Sequence, residues 1–204
     1  MANKRPDRRI SRTRRALKNA LTSLVLEKGY DAVTVEEITQ RADLSRPTFY
    51  LHYRDKEELL LESVDAMVND LIQRITQLPP DAWGRESLAK SPVESPVQLI
   101  FEHAAENADL YRVILRVEGA FKALERLRET ISRSAAGVLQ IIAAQDGLQL
   151  DTQVPVEVFS NYFAAALLGT ITWWLEGDMP YEPVRMAENF QKMFFFGAYQ
   201  VLGV

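Results

Sequence analysis

Five residues in one short segment carry side chains suited to reading a DNA double helix. Arg46, Pro47, Thr48, Tyr50 and His52 follow directly after a serine that can cap a helix. An arginine can donate two hydrogen bonds to one guanine, while a proline ring and a threonine methyl group can pack on a thymine methyl. The tyrosine and the histidine can reach phosphates. This combination predicts a segment that reads base edges in a major groove.

Two short helices and a tight turn are needed to position these side chains. Thr34 and Glu37 form a capping box, which predicts a short helix through about Arg41. Ser45 can cap a second helix over about 46–52, in which a proline in the first turn is tolerated because amide donors there are unpaired. Two short helices within 20 residues have helix-turn-helix spacing.

The residues around these helices fit the same arrangement. Asp43 lies between the two helices, and aspartate tolerates turn conformations. Phe49 and Tyr53 are four residues apart and share a face, so we expect them to anchor the second helix. Asp55 and Glu58 form a second capping box, which predicts the start of a further helix.

Helical periodicity dominates the whole chain, and we therefore predict an all-α fold. A helix from Arg9 to Lys28 ends at Gly29, and a long helix runs from Lys56 to about Gln77. Prolines predict a loop-rich stretch over 78–96. Later helices are expected near 96–106, 108–116, 119–145, 154–176 and 183–202.

The charges divide along the chain. Residues 1–56 hold 13 Lys and Arg against 7 Asp and Glu, a net of +6, and the remainder holds 11 against 21, a net of −10. Eight of the basic residues that precede the predicted helix-turn-helix form an N-terminal arm: Lys4, Arg5, Arg8, Arg9, Arg12, Arg14, Arg15 and Lys18. Because phosphate neutralisation supplies most non-specific DNA affinity, we expect these residues and Lys56 to contact phosphates.

Several classes of protein are excluded or disfavoured. The absence of cysteine excludes disulfides, a thiolate zinc site and a cysteine nucleophile, and it suits a reducing cytoplasm. There is no HExxH motif, glycine-rich phosphate loop or hydrolase elbow. We therefore expect that the protein is not an enzyme and that it binds no cofactor and no metal ion. The pairs Glu36–Glu37 and Glu57–Glu58 fall in first helical turns, where caps and dipoles explain them. No signal peptide or membrane span is expected.

Two runs of this sequence resemble the DNA-binding domain of TetR-type transcriptional regulators: GYDAVTVEEI at 29–38 and ADLSRPTFYLHYRDKEELL at 42–60. The family often has glycine at the position of Asp43, and glycine or alanine at that of Pro47. The resemblance implies a cytoplasmic, all-helical homodimer that binds a near-palindromic operator and carries an effector-binding C-terminal domain. WWLEGDMPY at 173–181 is similar to a stretch in some of these regulators.

Residues 1–56 are therefore expected to form a basic arm and a three-helix DNA-binding domain, and residues 57–204 a helical effector-binding and dimerisation domain. The candidate DNA-binding residues are Thr34, Ser45, Arg46, Pro47, Thr48, Tyr50, His52 and Lys56.

The last two helices carry small and aromatic residues that favour a four-helix dimer interface. Its candidate residues are Ala165, Gly169, Phe190, Phe194, Ala198 and Val201, although each could instead belong to the core of one chain.

An effector pocket combines aromatic walls with a few polar groups. The candidates here are Phe101, His103, Tyr111, Phe121, Tyr162 and Trp174, for which a core position is the competing interpretation. We predict a mostly apolar or aromatic effector, and the acidic balance of this part favours a cation over an anion.

The sequence thus predicts a ligand-responsive repressor with double-stranded operator DNA, a small effector and a second copy of the chain as its partners. Three alternatives stay open: a transcriptional activator, a regulator that responds to a protein partner without a small ligand, and a helical interaction module whose basic arm binds another anion.

Overall fold

The computed structural model describes residues 8–78, 95–116, 120–145 and 154–202, and all regular secondary structure in these ranges is α-helical. The predicted all-α fold is confirmed. The helices are α1 (Arg8–Lys28), α2 (Val35–Arg41), α3 (Arg46–Tyr50), α4 (Lys56–Thr76), α5 (Pro96–Glu106), α6 (Ala108–Arg116), α7 (Phe121–Gln145), α8 (Val156–Glu176) and α9 (Pro183–Leu202). Most of the predicted loop at 78–96 lies outside the described residues.

Helix α1 packs one apolar face against α2, α4 and α6. Leu17, Leu21 and Leu24 recur at helical spacing, and all three are buried. The helix stops at Gly29, whose φ of 83° is a conformation that glycine adopts without a Cβ clash. Both features agree with the predictions from the sequence.

Helix α4 connects the N-terminal helices to the rest of the chain. It packs against α1, α5 and α7, and its buried face includes Leu59, Val64 and Met67. Asp55 caps it by accepting a hydrogen bond from the Glu58 amide at 2.8 Å. The predicted second half of this capping box is wrong: the Glu58 carboxylate accepts from the Arg54 amide instead, at 2.6 Å, where the Arg54 guanidinium also attracts it.

The C-terminal helices share one continuous core with α1 and α4. Within it, α7 packs mainly on α8, and α9 mainly on α5. The ring of Phe101 on α5 meets Trp174 on α8 edge-on at 5.5 Å and lies 6.2 Å from the ring of Phe190 on α9. This aromatic contact joins α5, α8 and α9.

The turn from α8 to α9 begins at Gly177, which has an ordinary negative φ. The left-handed conformations fall on the next two residues, Asp178 and Met179, with φ of 57° and 55°. Trp174 holds the turn from inside by donating its indole N–H to the Tyr181 carbonyl at 2.8 Å.

Candidate DNA-binding surface, effector region and dimer face

Helix α3 presents most of the predicted DNA-reading side chains to solvent. The Ser45 hydroxyl caps it by accepting a hydrogen bond from the Thr48 amide at 3.3 Å. Arg46, Pro47 and Tyr50 are exposed, and Thr48 is half-buried. The helix ends at Tyr50, somewhat earlier than predicted, so that His52 lies half-buried in the turn that follows.

The opposite side of α3 is fixed in the core, as predicted. Phe49 and Tyr53 are buried, and their ring centres lie 5.8 Å apart. Burial, together with the nearby Glu62 carboxylate, raises the pKa of Tyr53 to about 12. Its neutral hydroxyl donates to that carboxylate on α4 at 3.3 Å. The orientation of α3 is therefore tied to the start of α4.

Helix α2 supports α3 through local contacts. The predicted capping box is present: Thr34 accepts from the Glu37 amide, and the Glu37 carboxylate accepts from the Thr34 amide at 3.0 Å. Asp43 makes the turn with a φ of 54°. Thr34 is exposed, and its contact with DNA stays a prediction.

Lys56 starts α4, as predicted, and its ammonium is bound within the protein. Its ammonium donates to the carbonyl oxygens of Tyr30, Asp31 and Val33 at 2.7, 3.2 and 2.8 Å, and it lies 4.5 Å from the centre of the Tyr30 ring. An ammonium has three N–H groups, and all three are used here. The structure therefore does not favour the predicted phosphate contact, because Lys56 binds the loop between α1 and α2.

The start of α1 carries the arginines of the basic arm. Arg8, Arg9, Arg12 and Arg15 are exposed, whereas Arg14 forms an ion pair with Glu62 at 2.9 Å. Lys4 and Arg5 lie outside the described residues. Lys18 is partly covered, and burial lowers its pKa. The exposed arginines at the start of α1 stay candidates for the phosphate contacts predicted for the arm.

Two candidate residues at this surface were missed from the sequence. Leu51 follows α3 directly and is 82% exposed. It lies four residues after Pro47 and extends the apolar surface next to the predicted thymine contact. Glu36 on α2 is 75% exposed, and its carboxylate lies 3.9 Å from the Arg46 guanidinium. The sequence does contain a signal for Leu51, because an apolar side chain stands there between two candidate DNA-binding residues, Tyr50 and His52.

Four of the predicted effector residues are packed in the core. Phe101, His103, Tyr111 and Trp174 are all buried. The rings of His103 and Tyr111 meet edge-on at 6.0 Å, and His103 Nδ1 lies 3.3 Å from the tyrosine hydroxyl. In this structure all four residues are therefore core residues, which is the competing interpretation given above.

His103 forms the centre of a polar cluster between α4, α5 and α6. Its Nε2 lies 3.7 Å from the Asp70 carboxylate and has no hydrogen-bond partner within the described residues. Burial, and then the charge of Arg74, lowers the pKa of His103. Arg74 also forms ion pairs with Asp70 at 2.9 Å and with Glu106 at 2.6 Å. Burial therefore favours the neutral form of the imidazole beside this charged network.

The other two predicted effector residues are exposed and lie apart from this cluster. Phe121 begins α7 and is 69% exposed. Tyr162 lies in a groove between α8 and α9, where its ring stacks on Phe194 at 5.7 Å. The groove encloses about 1030 Å³. Its lining also includes Ala165, Gly169, Phe190 and Met193.

This groove lies within the predicted dimer face. Along the exposed side of α8, Val158, Tyr162, Ala165, Gly169 and Trp173 follow one another at three- to four-residue steps. Such spacing places them in one stripe along the helix. Phe190 is buried and Phe194 half-buried at the edge of the stripe. The side chains of Ala198 and Val201 lie outside those that the structure describes.

Helix α8 is also long and apolar enough to cross a bilayer, judged by length and composition alone. Its other face is part of the core, through Leu167, Ile171 and Trp174 among others. Two apolar faces on one helix account for this composition. Within the described ranges, no group of three or more His, Asp or Glu side chains is arranged to hold a metal ion.

One side of α3 is exposed, its other side is held against α2 and α4, and the remaining helices form a separate part of the same core. This arrangement defines a helix-turn-helix transcriptional regulator. The family model for bacterial regulatory proteins of the tetR family matches residues 19–63. A model for a transcriptional regulator C-terminal region of the same group matches residues 93–195. The chain belongs to the TetR family of DNA-binding transcriptional regulators.

Individual relatives agree with this assignment. The chain is 26% identical to the uncharacterised HTH-type transcriptional regulator YxbF of Bacillus subtilis (strain 168), over 98% of this chain but only 49% of that protein. It therefore spans about half the length of this relative. It is 24% identical to the HTH-type transcriptional regulator TcmR of Streptomyces glaucescens, over 88% of this chain and 81% of TcmR.

A solved structure shares the fold. The transcriptional regulator FadR from Bacillus subtilis, solved in complex with stearoyl-CoA, superposes with a TM-score of 0.69. The two proteins are 16% identical, and the match covers 90% of this chain and 98% of FadR.

Proposed function

We propose that this protein is a homodimeric repressor that binds a near-palindromic operator and releases it when a small, mostly apolar effector binds. The observation that carries the proposal is the exposed edge of α3, where Arg46, Pro47 and Tyr50 are exposed. In a recognition helix the N-terminal residues contact base edges in the major groove. The exposed arginines of α1 would add sequence-independent contacts to phosphates. We place the DNA-binding domain at 1–56 and the effector and dimer domain at 57–204, in the cytoplasm.

The homodimer is supported by the exposed apolar stripe of α8. Tyr162 and Trp173 leave 63% and 54% of their surface exposed, with small residues between them. A second copy is the occupant that the proposed operator requires, since a palindrome demands two recognition helices related by twofold symmetry. The same stripe on both copies makes an isologous interface.

The proposed mechanism is geometric. Two copies of α3 must lie about 34–36 Å apart to enter successive major grooves. Because α4 starts beside α3 and contacts α5 and α7, a shift of the C-terminal helices would change that distance. An effector that prefers a different spacing would weaken operator binding by about 5–150-fold, and bound operator would weaken effector binding equally.

An apolar portion in the effector is supported by the aromatic content of the C-terminal part and by the stearoyl chain of the ligand in FadR, a protein of the same fold. The CoA portion of that ligand is anionic and does not support the predicted preference for a cation. The four packed aromatic and histidine residues would have to separate to admit a ligand, so the effector would bind an opened form of this core.

The test begins with the DNA. Purified protein is mixed with genomic fragments, and the retained fragments are sequenced. We expect one palindrome, bound by two chains and more weakly as salt rises. Arg46→Ala should relax the base preference at one position of each half-site, at a cost of about 1–3 kcal/mol. Weak binding to every polyanion would instead favour a helical interaction module.

The direction of regulation is tested by transcription from a template carrying the selected palindrome. A repressor lowers the yield of transcript, and the effector restores it. An increase in transcript on adding the protein would identify an activator.

A further inference from the structure

Two adjacent glutamates in the first turn of α2 have different surroundings. The Glu37 carboxylate accepts from the Thr34 amide and hydroxyl and from the Lys28 ammonium, so it completes the helix cap. Glu36 makes none of these contacts. Its ion-pair partner within the described residues is Arg46 on α3, at 3.9 Å. The cap therefore accounts for Glu37, whereas Glu36 contributes to the helix only through its charge near the N-terminus and has its side chain directed towards α3.

The position of Glu36 is unfavourable for binding DNA in general. It is 75% exposed on the same side as the candidate reading residue, where its negative charge repels every phosphate. A carboxylate at such a surface lowers affinity for all sequences alike. Its presence therefore suggests a contribution to the choice of sequence.

Arg46 lies between two oxygen-bearing side chains. The Tyr50 hydroxyl, one turn later on α3, raises the pKa of the Arg46 guanidinium by hydrogen bonding, and the Glu36 charge adds to this effect. A guanidinium has five N–H donors in a planar fork, and recognition of guanine O6 and N7 uses two. The remaining donors are available to a carboxylate on the protein side.

We propose that Glu36 is a specificity-determining residue that orients the Arg46 guanidinium for a two-bond contact with guanine. The inference rests on the proposed reading of DNA by α3. In the free protein the pair is exposed and weak, whereas the closed interface removes water and strengthens the attraction between the two charges. An arginine held in this way has less freedom to turn towards a phosphate or another base.

The experiment compares full-length wild type, Glu36→Gln, Arg46→Ala and the double variant on the selected operator, with each half-site position randomised. Glutamine keeps the shape of glutamate and removes its charge. We expect Glu36→Gln to lower the preference for guanine at the position read by Arg46 about fivefold. Binding to random duplex should rise, because a repulsive charge is gone.

The double variant distinguishes positioning from other roles. If Glu36 acts through Arg46, then Glu36→Gln has no further effect on base preference once Arg46 is alanine. Glu37→Gln is the matched control: it should lower the melting temperature through the lost ion pair with Lys28, since a glutamine oxygen can still accept from the Thr34 amide, and it should leave base preference intact. Glu36→Gln should lower the melting temperature less, because its carboxylate makes no contact with the cap or with Lys28.

Three results would overturn the proposal. An equal gain in affinity for all sequences, with preference unchanged, would show that Glu36 only repels phosphates. A change at a base pair that Arg46→Ala does not affect would show that Glu36 reads that base itself. If wild type selects no sequence at all, the proposed DNA reading fails and this inference fails with it.

Discussion

Arg126 on α7 donates from two guanidinium nitrogens to both carboxylate oxygens of Asp65 on α4. Nearer the start of both helices, Lys122 pairs with Glu57 at 2.8 Å. Both acidic partners lie in the first three turns of α4, directly after the helix-turn-helix. These two ion pairs attach the DNA-proximal half of α4 to α7, which in turn packs on α8.

We predict that the contact between Arg126 and Asp65 stabilises the fold measurably despite its exposure. Asp65→Asn should lower the free energy of unfolding by about 0.5–1 kcal/mol, the upper range for an exposed pair, because the contact has two parallel hydrogen bonds. Urea denaturation of both single variants and of Asp65→Asn with Arg126→Gln gives the coupling energy. Strictly additive effects would show that the two side chains do not stabilise each other.

Lys56 is predicted to stabilise the loop between α1 and α2. Lys56→Met keeps the aliphatic stem but removes three hydrogen bonds and the contact with the Tyr30 ring, so the free energy of unfolding should fall by about 1–3 kcal/mol. Arg12→Met, at an exposed arm position, serves as the control and should affect the salt dependence of DNA binding instead. The opposite pattern would assign Lys56 to a phosphate.

The dimer face gives a third prediction. Tyr162→Asp should convert a dimer into monomers, because it places a charge in the centre of an apolar interface. Phe121→Asp is the matched control, since Phe121 is an equally exposed aromatic residue on another helix. Sedimentation velocity at micromolar concentration measures both variants. A wild type that sediments as a monomer would refute the proposed assembly.

The buried histidine predicts a pH dependence. Burial and Arg74 lower the pKa of His103 in the folded chain, so below about pH 6.5 the unfolded chain binds a proton that the native chain does not. The free energy of unfolding should therefore fall as the pH drops from 6.5 towards the folded pKa. His103→Gln, which can still hydrogen-bond to Tyr111, should flatten this slope. Identical slopes in wild type and variant would contradict the assignment.

Features encoded within a few residues could be predicted from the sequence. The Thr34 cap, the Gly29 stop and the left-handed Asp43 each depend on local backbone geometry. The second capping box was predicted only in part, because Arg54 competes for the Glu58 carboxylate and no spacing rule includes that competitor.

The arrangement of the C-terminal aromatics could not be predicted in the same way. Helical spacing identifies a face, but both faces of α8 are apolar, so spacing alone does not show that Trp174 is buried while Trp173 is exposed. The three carbonyl contacts of Lys56 could not be predicted from local sequence for a related reason, since they join residues more than 20 positions apart. Long-range packing decides these cases.

Gly169 lies in the middle of α8, where a Cβ atom would meet nothing within 4 Å. Within one chain, Gly169→Ala should therefore stabilise the helix by about 1 kcal/mol, since alanine is the better helix former. Where two backbones cross closely at this point, the same methyl group would separate them. The single substitution would then raise the free energy of unfolding of the monomer and weaken the binding between two monomers. This combined result would locate the point of closest approach between the two copies.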